Sequence, residues 1–131
     1  MGASERAIEL TKAAARAADD TLATDLVALD VTGVTPISDV FLMATGRSER
    51  QVQAIAREVE DALLQLGAKA IHREGREEGR WTLLDFNHVV VHVFHEEDRS
   101  YYSLERLWND CPAIDLGLDS TDKSSATESE E

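Results

Sequence analysis

The stretch from Ser48 to Gly67 constrains the fold most, because its pattern is that of a helix with one apolar face. Ser48 offers an N-cap oxygen and Gln51 stands three residues on, the spacing of a capping box. Val52, Ile55, Val59, Leu63 and Leu66 then recur at steps of three and four, and Gly67 follows as a C′ residue that ends the helix. Such a stripe has to be buried, and the neighbouring segments offer a sheet. "DLVALDV" (Asp25 to Val31) and "DVFLMAT" (Asp39 to Thr45) are short apolar runs read as strands, separated by the turn "TGVTPIS" with Gly33 and Pro36 as breakers. After the helix, "KAIHRE" (Lys69 to Glu74), "WTLLDF" and "HVVVHVFHE" read as three more strands, the last two joined as a hairpin at Asn87.

Two further helices complete the pattern. Ser4 to about Asp20 is alanine-rich with Ser4 as cap, and Ile8, Ala15, Ala18 and Leu22 form a thin apolar stripe. "DRSYYSLERLW" (Asp98 to Trp108) reads as a final helix capped by Asp98, with Leu104, Leu107 and Trp108 on one face. The predicted order is α-β-β-α-β-β-β-α, an α/β fold with a mixed β-sheet and packed helices. One domain over 1–113 and an acidic disordered tail over 114–131 are expected; "DSTDKSSATESEE" has no aromatic residue and too little apolar surface to fold.

Charge limits the partners. The net charge of −13 comes from 13 basic and 26 acidic residues. Pro112 to Glu131 holds six acids and one base, which leaves −8 on residues 1–111. Nucleic-acid affinity rests largely on Lys and Arg neutralising phosphates, so direct, sequence-specific nucleic-acid binding is not expected. A basic protein partner fits the field, although acidic composition alone also describes many soluble proteins. No apolar run reaches the ~20 residues of a membrane span. The start "MGASERAIEL" lacks the pattern of a signal peptide, and a cytoplasmic protein is expected. Cys111 is the one cysteine, at the end of the last predicted helix and before a proline, and is read as a structural thiol.

Candidate chemistry is thin. His88, His92 and His95 give H-x3-H-x2-H, but on a strand His88 and His92 share one face while His95 points to the other. No metal site and no cofactor are expected. "ATGRSERQ" has a single glycine and is not a phosphate-cradling loop. Asp25 and Asp30 flank a strand five apart and face opposite sides, and no D-x-D or G-x-S-x-G occurs. Within "WTLLDF", Trp81, Leu83 and Asp85 share one strand face, and Thr82, Leu84 and Phe86 the other. A tryptophan beside a leucine and an acid has the composition of a protein-binding hot spot, and it is equally that of a core edge.

"REGREEGRWTLLDFNHVVVHVFHEEDRSYYSLERLW" resembles the ribosomal silencing factor family (RsfS, YbeB or Iojap-like), with Glu74, Gly75, Gly79, Trp81, Leu83, Asp85, Val89 to His92, Arg99, Tyr102, Leu104, Glu105, Leu107 and Trp108 at matching positions. "ISDVFLMATGRSERQVQAIAREVE" is similar to its strand and capped helix through Asp39, Gly46 and Ser48 to Val52. The likeness spans about Ser4 to Ala113. It implies a nucleotidyltransferase-like fold without the catalytic carboxylates, and a protein that is not an enzyme. It also implies binding to the large ribosomal subunit through a basic protein, the fourteenth of its L series. Occupying that surface blocks joining of the small subunit and represses translation. The free protein is expected to be a homodimer. Trp81, Leu83, Asp85, Tyr101, Tyr102 and Glu105 are the expected partner-binding surface, with Trp81 as apolar anchor and Asp85 and Glu105 meeting Lys or Arg. His92 is expected to be structural. The chain departs from the family at His88, where an acid is common, and in an added aromatic at Tyr101. Two alternatives use the same residues differently: a large-subunit assembly factor, or a nucleotidyltransferase-like enzyme if Asp25, Asp39 and Asp85 meet in space.

Overall fold

The computed structural model describes residues 2–75, 80–98 and 111–118. Its elements run α1 (Glu5–Asp20), β1 (Thr24–Asp30), β2 (Val40–Gly46), α2 (Glu49–Gln65), β3 (His72–Glu74), β4 (Trp81–Asp85) and β5 (Val89–His95), with a 3-10 turn at Glu96–Asp98. The predicted final helix lies outside the described residues except at its first position. The five strands form one mixed sheet ordered β1-β2-β5-β4-β3, in which β2 and β5 pair in parallel and the other pairs are antiparallel.

Both helices lie against the same face of that sheet. Val52, Ile55, Ala56, Val59 and Leu63 of α2 are buried, as their spacing requires. They meet Leu42, Ala44, Leu84, Val91 and Val93 from the strands in the main core cluster. The face of α1 differs from expectation. Ala7, Leu10, Thr11, Ala14, Ala15 and Ala18 are its buried residues, Ile8 is only half-buried, and Leu22 is 76% exposed. Helix α1 has stopped before Leu22: Leu22 N donates to Asp19 O and Ala23 N to Ala18 O, the paired bonds of a Schellman end. Helix α2 ends the same way, with Gly67 N on Leu64 O and Ala68 N on Leu63 O. The left-handed C′ residue is Gly67 at φ +85 in one and Leu22 at φ +65 in the other.

The capping box at Ser48 forms with one change. Gln51 N donates to Ser48 Oγ at 3.0 Å, while the Gln51 side chain reaches one residue further back and accepts from Arg47 N. Its amide nitrogen also donates to Thr21 O and Leu22 O, so one side chain ties the start of α2 to the end of α1.

The face of the sheet away from the helices carries a second cluster: Leu29, Val31, Met43, Phe94 and Cys111, with Phe41 and Trp81 packed against it. Cys111 is buried there. From Cys111 the chain runs along the outer edge of β1, where Asp30 N donates to Pro112 O and Ile114 N to Ala28 O. An edge paired in this way is closed to other chains. The domain boundary drawn after residue 113 falls inside this strap: Ile114, Leu116 and Leu118 pack against the main core. Their spacing of two is that of an extended segment with one apolar side.

Candidate partner-docking face

The face of β4 turned away from α1 and α2 brings three of the expected site residues together. Thr82 and Leu84 point to the helices and are buried; Trp81, Leu83 and Asp85 alternate with them and are each half-buried. Register sets their neighbours. Trp81 lies opposite Phe94, Leu83 opposite His92 and Asp85 opposite Val90. On the other side His72 lies opposite Asp85 and Glu74 opposite Leu83. Beyond β5, Phe41 pairs with Val90 and Met43 with His92. Side chains of paired residues point the same way, so these positions form one continuous surface.

Trp81 is partly core. It packs against the second cluster while keeping part of its surface open, so the residues support both roles offered by the sequence. Gly75 allows its placement: at φ +72, a Cβ there would come closer than 3.0 Å to Trp81 O and to 3.3 Å from the indole Cε3. His92 sits between two rings, edge-on to Phe41 at 5.3 Å and stacked on Phe94 at 6.0 Å, a packing role in the sheet. Asp85 Oδ1 accepts from Asn87 N at 2.8 Å and shapes the hairpin, in which Asn87 takes φ +79. Tyr101, Tyr102 and Glu105 lie outside the described residues.

A groove of about 370 Å³ opens on this surface. Phe41, Leu83, Val90 and His92 are among its lining residues, as are Val34 and Ile37 of the β1–β2 loop, and His72, Glu74 and Asp85 mark its other side. Val34 is 53% and Ile37 77% exposed. Their loop is held by bonds from Val34 N and Thr35 N to Val31 O and from Ile37 N to Thr35 Oγ1. Glu74 pairs with His72 at 2.9 Å, and among the described residues no lysine or arginine lines the groove. Val34 and Ile37 were not among the expected site residues, because a Gly- and Pro-containing segment reads as a turn. Two aliphatic residues in such a turn were the available signal.

The three carboxylates weighed for catalysis are placed separately. Asp25 is the second residue of β1, in an exposed left-handed position, Asp39 precedes β2 and accepts from Ser4 N, and Asp85 ends β4. Among the described residues no group of three His, Cys, Asp or Glu side chains could hold a metal ion. Nor is any helix among them long and apolar enough to cross a membrane. Asp30, at the end of β1, has a lowered pKa. Burial works to raise its pKa, but bonds from Thr32 Oγ1, Thr32 N and Ala3 N outweigh that and leave it lowered.

A sequence model of the family described as "Ribosomal silencing factor during starvation" matches residues 4–131. The chain belongs to the ribosomal silencing factor family. The ribosomal silencing factor RsfS of Bacillus subtilis (strain 168) is 50% identical over 107 residues, which cover 82% of this chain and 91% of that protein. A crystal structure from Bacillus halodurans aligns with a TM-score of 0.72 at 44% identity, covering 82% of this chain and 97% of that one. One from Chromobacterium violaceum gives 0.74 at 34% identity, over 89% and 97%. The silencing-factor fold is therefore the mixed sheet with helices packed on it. In this family member Trp81, Leu83 and Asp85, which the sequence resemblance singled out, lie on the face of β4 turned away from α1 and α2, and Gly75 lies against Trp81.

Proposed function

We propose that this silencing factor acts by docking the sheet face turned away from α1 and α2 on the large ribosomal subunit, through the basic fourteenth protein of the L series. The small subunit is then kept from joining by steric exclusion, and translation is repressed without any chemical step. The observation that carries this reading is the apolar groove with acids on one side and, among the described residues, no lysine or arginine lining it. A compact interface with an apolar centre and a charged rim is how standard protein contacts obtain affinity. Family membership supports the ribosome as the partner. The protein is proposed to work in the cytoplasm and to form a homodimer when free.

Sedimentation of large subunits mixed with the protein tests it. Wild type should comigrate and Trp81→Ala should not. Because Trp81 also packs on the second cluster, its variant needs a circular-dichroism check. Asp85→Asn is the cleaner partner: the amide oxygen can still accept from Asn87 N while the charge is gone. It should weaken binding by about fivefold, the scale of one rim ion pair, and by less at high salt. Wild type that stays at the top of the gradient would remove the proposal.

A further inference from the structure

Val34 and Ile37 are exposed, apolar, and fixed in place by backbone bonds in their loop. They line one side of the groove, next to Phe41 of β2. The acids Glu74 and Asp85 belong to β3 and β4, on the other side. The groove is thus polarised across the strands, apolar towards β2 and anionic towards β3. We infer that it receives a loop of a cationic protein that inserts an aliphatic or aromatic side chain between the Val34–Ile37 wall and Phe41. The same loop sets a Lys or Arg over Asp85 and Glu74. This deepens the proposed docking and rests on it.

Sheet geometry fixes the spacing the partner must have. In the order β2-β5-β4-β3, Asp85 lies two strands and Glu74 three strands from Phe41. At roughly 4.8 Å per strand, the apolar anchor and the cationic group must stand about 10 to 14 Å apart. That is about three or four residues of extended chain, or two neighbouring strands of a hairpin with long side chains. Other occupants fit less well. A second copy seated face to face would set its own Glu74 and Asp85 against these acids. A phosphate backbone would meet Glu74 and Asp85 and, among the described residues, no lysine or arginine.

The test is a titration of large ribosomal subunits with wild type, Val34→Ser/Ile37→Ser, Asp85→Asn and, as control, Leu64→Ser, which removes another exposed leucine, on α2. All four should keep the same far-ultraviolet circular dichroism, because the substituted apolar side chains already face solvent. The double serine variant should bind at least tenfold more weakly, and Leu64→Ser should bind as wild type does. If Asp85→Asn weakens binding but the double variant stays within twofold of wild type, the wall is not part of the contact and this inference fails while the docking reading stands. If no variant changes affinity, the docking reading fails with it. If the double variant leaves subunit affinity intact and instead shifts the monomer–dimer equilibrium in analytical ultracentrifugation, the occupant is a second copy and the inference is overturned.

Discussion

Replacing Gly75 with alanine probes the geometry that holds Trp81 on the proposed docking face. Gly75 has φ +72, and an added Cβ would fall closer than 3.0 Å to the carbonyl oxygen of Trp81 and 3.3 Å from its ring. The left-handed conformation alone costs an L-residue about 1 kcal/mol or somewhat more. The overlap is with backbone, which no rotamer change relieves, and forced overpacking adds roughly 1 to 3 kcal/mol. The expected loss is therefore about 2 to 4 kcal/mol. Two other glycines calibrate it. Gly67 has φ +85, but a Cβ there meets only Arg6 Nη2 at 3.8 Å, so Gly67→Ala should lose about 1 kcal/mol, the conformational part alone. Gly33 has nothing within 4 Å and no positive φ, so Gly33→Ala should fall within about 0.5 kcal/mol of wild type. Urea unfolding followed by circular dichroism reads all three. If Gly75→Ala is no less stable than Gly67→Ala, the close approach of Gly75 to Trp81 is wrong, and with it the placement of the anchor.

Leu22 occupies the left-handed C′ site that Gly67 fills in α2, and its side chain is exposed. Leu22→Gly should therefore stabilise the protein by up to about 1 kcal/mol, seen as a later urea midpoint; an earlier midpoint would mean the exposed leucine makes a stabilising contact. Gln51→Ala removes the acceptor for Arg47 N and the donor to Thr21 O and Leu22 O, and should cost about 1 to 2 kcal/mol, whereas no change would mean water replaces all three bonds. The lowered pKa of Asp30 means that its carboxylate adds stability above the unfolded value of about 3.9 and loses it as the pH falls through the lower folded value. The gap in unfolding free energy between wild type and Asp30→Asn should be level above about pH 5 and close below about pH 4; a gap that widens in acid would reverse the sign.

Local pattern and non-local pairing explain which parts of this fold are readable from sequence. Helix α2 is readable from Ser48 to Gly67, because cap, period and stop all lie within one segment; only Leu66 departs, standing at the C-cap and exposed rather than in the buried stripe. The β4–β5 hairpin is readable for the same reason, with Asn87 in the left-handed region at its turn. Helix α1 is found but its face is not: Ala7, Ala14, Ala15 and Ala18 carry little hydrophobic contrast, and Leu22 extends a stripe only if the Schellman end is missed. Strand β3 is half its expected length, since before His72 only Ile71 N reaches β4, at Asp85 O. The parallel β2–β5 pair and the strand order depend on contacts between distant segments, which no local period records.

The candidate site divides along the same line. Trp81, Leu83 and Asp85 follow from the two-residue period of one strand. Val34 and Ile37 do not, because their role depends on what the β1–β2 loop faces across the sheet. The strap residues Ile114, Leu116 and Leu118 were hidden by averaging their composition with the acidic residues that follow. The resemblance points to strand β4, and the structure sets Val34 and Ile37 across the groove from it.

Steric exclusion is the central claim, and subunit joining measures it directly. Purified large subunits are incubated with the protein, small subunits are added, and joined ribosomes are followed by light scattering and by gradient sedimentation. The account predicts that joined ribosomes fall in proportion to the fraction of large subunits carrying the protein, and that Asp85→Asn shifts this curve to higher concentration by the same factor as it weakens binding. Joined ribosomes that form at the normal level while still carrying the protein would contradict it.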